Sequence, residues 1–231
     1  MKKLGLLGGL SWHSTAEYYR LLNEGAQARL GGQHSAELIL WSFDFHEMTK
    51  LKAEGKWEEI GKIAASAARH LETSGAEALV ICSNTMHRLA PEVRAEVSIP
   101  LIHILEATAD EILARGCHRP ILLGTRYTME GGFAARKLYE HSQVSAVIPD
   151  QVGREVIHRI IYAELCEGVV DPNSKRLLMG VCEELKKGGA DGVILGCTEL
   201  AMILSQKDFD IPVFDTTRIH ADAALGFALG P

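Results

Sequence analysis

The sequence lacks the marks of several large classes of protein. It holds no run of lysine and arginine, and its 231 residues carry a formal charge of -6, so neither a nucleic acid nor an anionic membrane surface is an expected partner. No apolar stretch approaches the roughly 20 residues of a membrane span. The opening MKKLGLLGGLSW places lysines before apolar residues, yet it is short, glycine-broken and without a small-residue cleavage site. It therefore reads as a first core strand rather than a secretion signal. The five cysteines are odd in number and form no C-x-x-C, which points to a reducing, cytoplasmic setting. The ten histidines are scattered, none at zinc spacing with Cys or Glu, so no metal is expected. Neither G-x-G-x-x-G nor G-x-x-x-x-G-K-[ST] occurs, and no nucleotide cofactor is expected.

What is present is the composition of a soluble globular chain with a proper core: 47% apolar and 23% charged residues. Short apolar runs at Lys3–Leu7, Glu37–Ser42, Ala78–Cys82, Leu101–Ile102, Pro120–Leu123, Ala146–Ile148, Gly192–Leu195 and Val213–Phe214 read as strands. Amphipathic stretches lie between them, at Thr15–Leu30, Trp57–Ser74, Glu106–Ala114, Met129–His141, Arg154–Glu167 and Asn173–Lys187. Continuous apolar strands alternating with helices predict an α/β protein with parallel sheets covered on both faces.

The chain also repeats itself. Gly75-Ala76-Glu77, an apolar strand and Ser83-Asn84-Thr85 correspond to Gly189-Ala190-Asp191, an apolar strand and Cys197-Thr198-Glu199. Each segment leads on to Ile-Pro, at Ile99-Pro100 and Ile211-Pro212. The openings GLLGGLS and ILLGTRYT correspond as well. Two readings are open: any two βα units share such features, or the chain is two similar α/β subdomains related by a pseudo-two-fold axis, with the active site in the cleft between them. The second sets subdomain boundaries at residues 1–98 plus 213–231 and residues 99–212.

A shift of 114 positions puts Ser83 on Cys197 and Cys82 on Gly196. Neighbouring side chains of an extended chain point to opposite sides. If Cys197 faces a cleft, Ser83 faces it too, and Cys82 is a buried thiol acting as a small hydrophobe. Sites in open parallel sheets form beyond the carboxyl ends of the strands, where Ser83 and Cys197 both fall. Around them Leu10, Ser11, Asn84, Thr85, Thr125, Thr128, Thr198 and Glu199 offer hydroxyl, amide and backbone groups. Such a ring of donors suits a carboxylate, and also the enediolate left when the adjacent carbon loses a proton. A stabilised thiolate is a competent acid or base, and two groups on opposite faces of one carbon would invert it. Ser83 is equally compatible with a helix N-cap. His87, His103 and His220 fit ordinary polar contacts.

The motifs GLLGGLSWHSTAEYY, SNTMH, LLGTRYTM, LGCTEL and IPVFDTTRIHA, in this order over nearly the whole chain, resemble the cofactor-independent aspartate/glutamate racemase superfamily, most closely its broad-specificity amino-acid racemase branch. The resemblance implies an amino-acid substrate, no pyridoxal phosphate or metal, a two-base mechanism through Ser83 and Cys197, and a homodimer. It also implies a departure. The family's first cysteine, in Cys-Asn-Thr, is here Ser83, as in an L-selective branch, so an L bias is expected. The arginine and lysine of typical aspartate racemases are replaced by Phe45 and Glu164, which leaves Lys52, or Lys50, to meet a distal carboxylate unless both are solvated loop lysines. Two other functions fit the same motifs: a single-cysteine decarboxylase or isomerase of a small dicarboxylate, and a non-catalytic amino-acid-binding protein.

Overall fold

The computed structural model describes residues 1–230, and its contacts divide the chain into two compact units: Met1–His103 with the segment from His220 onward, and Ile104–Ile219. In the first unit the elements run β1 (Leu4–Gly8), α1 (Trp12–Leu30), β2 (Leu38–Ser42), α2 (Phe45–Ala53), α3 (Trp57–Thr73), β3 (Ala78–Ile81), a 3-10 turn (Thr85–Leu89), α4 (Ala90–Glu96) and β4 (Leu101–Ile102). All strand pairs are parallel, in the order β2-β1-β3-β4. β1 and β3 are fully buried, which is why both read as unbroken apolar runs. β2 is one of the two edge strands and leaves Leu40 and Trp41 exposed.

The second unit runs α5 (Ile104–Ala114), β5 (Ile121–Gly124), α6 (Arg126–Glu130), α7 (Phe133–Ser142), α8 (Gln151–Ala163), a 3-10 turn (Leu165–Glu167), α9 (Pro172–Lys187), β6 (Val193–Gly196), two further 3-10 turns (Thr198–Met202 and Gln206–Asp208) and β7 (Val213–Asp215). Helix α10 (Thr216–Leu229) begins in this unit and continues into the first. The strand order is β5-β6-β7, again parallel, with Val147 bridging Ile121 on the free side of β5. Val147, β5, β6 and β7 thus take the places that β2, β1, β3 and β4 hold in the first unit.

The repeated Gly-Ala-acid signature has a common physical role. Its glycine follows α3 in one unit and α9 in the other, with a positive φ of 95° at Gly75 and 86° at Gly189, a region glycine enters without steric cost. Its acid then accepts from the backbone entering the neighbouring strand. Glu77 accepts from the Lys3 N–H at 2.7 Å, and Asp191 accepts from His118 and Arg119 N–H groups at 2.7 and 2.9 Å. Each unit has its own core on both sheet faces: around Leu7, Ile60, Leu79 and Ile81, and around Leu6, Tyr18, Val80 and Leu225, in the first; around Ile121, Ile157, Leu178 and Leu195, and around Ile112, Leu122, Leu138 and Phe214, in the second. A fully buried Leu or Ile contributes about 1.5–3 kcal/mol.

Two expectations change. β4 pairs with β3 and β7 with β6, so the unit boundaries fall after His103 and after Ile219 rather than after residues 98 and 212; hydrogen bonding to the sheet, not the Ile-Pro dipeptide, decides which unit a strand joins. The expected helix Met129–His141 is two helices broken at Gly131-Gly132, where Gly132 has φ 69°. No helix among the described residues is long and apolar enough to cross a membrane.

Candidate functional site

Each sheet has a point where the chain leaves one central strand in one direction and the next in the other, and such points open a crevice at the carboxyl ends. In the first unit this point lies between β1 and β3. β1 delivers Gly8-Gly9-Leu10-Ser11, and β3 delivers Ser83-Asn84-Thr85. In the second it lies between β5 and β6, which deliver Thr125–Thr128 and Cys197-Thr198-Glu199. Every loop singled out in the sequence except that of Lys52 therefore sits at a switch point of its own unit.

The β1 loop is held tightly. Gly9 has φ 70°, and a Cβ there would lie 2.2 Å from the Phe43 carbonyl oxygen. Its N–H donates to Thr15 Oγ1 at 2.8 Å, and that hydroxyl donates to the Ser11 carbonyl at 3.1 Å. The Leu10 side chain belongs to the core, so this residue offers a ligand only its backbone. On the β3 side Cys82 is fully buried in the core and Ser83 is half-buried, as strand alternation requires. Asn84 and Thr85 are buried. Ser83 is held through its backbone: its N–H donates to the Ile81 carbonyl, and its carbonyl accepts from His87 Nδ1 at 2.8 Å.

In the second unit Thr125 caps α6, its hydroxyl accepting from the Thr128 N–H at 3.4 Å and lying 3.3 Å from the Thr128 hydroxyl. Thr128 is only 1% exposed, so it orients Thr125. Thr198 accepts from the Thr217 hydroxyl at 3.4 Å. Cys197 is half-buried and extended, and its thiol donates to Glu199 Oε2 at 2.8 Å. The 3-10 turn that starts at Thr198 folds the Glu199 side chain back over Cys197. Glu199, expected to bind a ligand, is thus the thiol's own partner. Burial first, then the Glu199 carboxylate, push the Cys197 thiol well above its ordinary range, while the Glu199 backbone N–H favours the thiolate. The thiol rests protonated, with its proton aimed at a carboxylate.

Sequence reasoning missed the rest of this wall. Burial, then the nearby Cys197, Tyr127, Cys166 and Glu199, raise the Tyr162 phenol, so α8 and the turn after it bring Tyr162 and Cys166 beside Cys197. His158 stacks edge-on to Tyr162 at 4.7 Å and accepts from the Arg126 N–H. Only the amphipathic period of α8 hinted at them, and that period says which face is inward, not what it meets. Lys52 lies on α2 rather than in a solvated loop and is 7% exposed. Its ammonium reaches back along the helix to the Phe45 ring, 5.1 Å from the centroid. Lys50 is exposed. Glu164 accepts from Ser174 at 2.5 Å, which ties α8 to α9.

A family model described as Asp/Glu/Hydantoin racemase matches residues 7–224. The broad specificity amino-acid racemase RacX of Bacillus subtilis is 26% identical over 176 residues, which cover 73% of this chain and 72% of that protein. A Yersinia pestis structure assigned provisionally to the Asp/Glu racemases has a TM-score of 0.94 at 46% identity, covering 99% of this chain and 100% of its own. An aspartate racemase homologue from Pyrococcus horikoshii has a TM-score of 0.88 at 36% identity, with 99% and 100% covered.

Proposed function

The chain belongs to the Asp/Glu/hydantoin racemase family, and on that premise we propose that it is a cofactor-independent amino-acid racemase in which the Cys197–Glu199 pair serves one face of the substrate α-carbon and Ser83 the other. The observation that carries this reading is the 2.8 Å hydrogen bond from the Cys197 thiol to Glu199. A thiol cannot take a proton until it has lost its own, and a carboxylate at hydrogen-bond distance is where that proton goes.

With an L substrate the sequence of transfers is as follows. Cys197 passes its proton to Glu199, and the thiolate takes the α-proton. The charge that develops on the carboxylate is held by oriented donors from Asn84, Thr85, Thr125 and Thr198 and by the Leu10–Ser11 backbone. The Ser83 hydroxyl then gives its proton to the opposite face, forming the D enantiomer, and the proton on Glu199 returns through solvent to the serine. Lys52 meets the side-chain carboxylate of aspartate or glutamate.

Enantiomers have equal free energy in an achiral solvent, so kcat/KM is equal in the two directions whatever the two acids are. The L bias associated with Ser83 therefore lies in how the deprotonated intermediate partitions. Cys197, re-supplied by Glu199, returns a proton readily and restores L; Ser83 returns one slowly and yields D.

Incubation with L- and D-aspartate and glutamate in D2O tests this. L substrate gains α-deuterium with retention faster than it inverts, and D substrate gains it chiefly as it inverts. Cys197→Ala abolishes both, and Cys82→Ala leaves both in place. Absence of α-deuteration in every common amino acid overturns the reading.

A further inference from the structure

Beneath Ser83, within the first unit, lie three buried histidines that the proton transfers above do not use. His87, on the 3-10 turn after β3, is 2% exposed; His103, just past β4, is 5%; His220, on α10, is 0%. The His87 ring is 4.8 Å from that of His103 and 5.2 Å from that of His220. His220 Nε2 lies 2.8 Å from the Ile102 carbonyl and its Nδ1 2.7 Å from the hydroxyl of Tyr18, itself buried on α1.

Carbonyl oxygens only accept, so the tautomers follow. His87 faces two carbonyls, Ser83 at 2.8 Å from Nδ1 and Ile102; with its proton on Nδ1 it donates to Ser83. His220 carries its proton on Nε2, donates to Ile102, and accepts at Nδ1 from the Tyr18 hydroxyl. The Ile102 carbonyl faces His87 as well as His220, and no group of His, Cys, Asp or Glu among the described residues is placed to hold a metal ion.

We infer that His87 is a positioning residue for the Ser83 half of the reaction: held between His103 and His220, its ring pins the Ser83 carbonyl and so aims the Ser83 hydroxyl at the substrate. This rests on the racemase reading above. The geometry supplies the reason. Ser83 leaves β3 in a tight backbone turn, and its carbonyl is tied to a ring that His103 and His220 hold edge-on from two sides. The Cys197 half has its own support in Glu199 and makes no use of this strut.

Protonation undoes the arrangement. The groups facing His87 are His103 from the end of β4 and His220 from α10, with Tyr18 of α1 behind His220. No carboxylate among the described residues of this unit is buried, and positive charges on adjacent rings repel. Burial, then the neighbouring His103 and His220, hold His87 well below the ordinary histidine range, although the Ser83 and Ile102 carbonyls favour the charged ring. Acid charges His87 and His220 only below the ordinary histidine range, and the repulsion between their rings then loosens the Ser83 turn.

The test reads the two halves separately, in the same D2O assay. His87→Leu should lower inversion by on the order of 10- to 100-fold while deuteration of L substrate with retention persists. His87→Asn, whose amide N–H can replace Nδ1, should restore most of the loss. In the unsubstituted protein inversion should fall in acid before retentive exchange does, and His87→Asn should lack that early limb. Equal loss of both activities in His87→Leu, or an unchanged acid limb in His87→Asn, overturns the inference. A ligand-free measurement separates it from the racemase reading: the 13C shift of the Ser83 carbonyl should titrate with the His87 ring nitrogens. If it does so in a protein that exchanges no amino acid, the strut stands and the racemase reading falls; if it does not, the strut falls.

Discussion

At the scale of single residues, the contrast between Cys197 and Ser83 decides the chemistry. Both stand just past a buried strand, Ser83 two residues beyond β3 and Cys197 one beyond β6, but only Cys197 is hydrogen-bonded to a carboxylate. Its thiol is raised by burial and by Glu199, so solvent alone would ionise it only at high pH. Glu199→Gln removes the local acceptor. The expected outcome is a fall in L-substrate α-exchange of about 10²–10⁴-fold near neutrality, with a rate that climbs as pH rises because hydroxide must now generate the thiolate. A pH–rate profile of the variant checks this; a flat profile at full activity would mean that Glu199 does not accept the thiol's proton.

At the scale of elements, helix α2 places a charge where its own residue number would not suggest. Asp44 caps it, accepting from the His46 N–H at 2.8 Å, and the preceding residue, Phe43, donates to the Gly8 carbonyl at 3.1 Å. Side chains on a helix lean toward its N-terminus, and Lys52 does so until its ammonium lies by Phe45. A cation from the far end of α2 is thereby carried back toward the start of the helix, just past the carboxyl end of β2. If it reads the substrate side chain, Lys52→Met should cut the preference for aspartate and glutamate over neutral amino acids by about 10-fold or more, since a charge-assisted hydrogen bond is worth roughly 1.5–3 kcal/mol. Ratios of kcat/KM across a substrate panel measure it. An unchanged ratio would assign Lys52 to the packing of α2 alone.

On the scale of the whole molecule, buried histidines make stability depend on pH. His220 is fully buried, and burial brings its pKa down from the ordinary 6.5 to about 4, against the Ile102 carbonyl that favours the charged form. The fold prefers the neutral ring. Its contribution is complete above the ordinary value and is lost as pH falls from about 6.5 to about 4, because the unfolded chain takes up a proton that the fold refuses. The loss is on the order of 3 kcal/mol for this group, and His87 acts in the same direction. Urea unfolding midpoints should therefore drop between pH 7 and pH 4.5. His220→Gln should be less stable at pH 7 and show a flatter dependence; an equally steep dependence in the variant would place the sensitivity elsewhere.

The parts of the molecule that were legible in advance are those governed by local rules. Buried parallel strands must be apolar throughout, so β1, β3, β5 and β6 announced themselves. A two-residue alternation settled that Cys82 goes inward and Ser83 outward. The repeat pointed to two similar α/β units, and each copy of the Gly-Ala-acid signature performs the same backbone task. What tertiary structure alone decided involves partners far apart in the chain or turns with no sequence period. His87, His103 and His220 come from three separate elements, and Tyr18 from a fourth. Tyr162 and Cys166 reach Cys197 from another helix and the turn that follows it. Glu199 meets Cys197 through a 3-10 turn whose direction no apolar pattern encodes. The sequence by itself determined which residues stand at the strand ends, because side-chain alternation and burial are set locally. The fold decided which of them acquire a proton acceptor or a buried support, because hydrogen bonds and desolvation depend on what packs alongside.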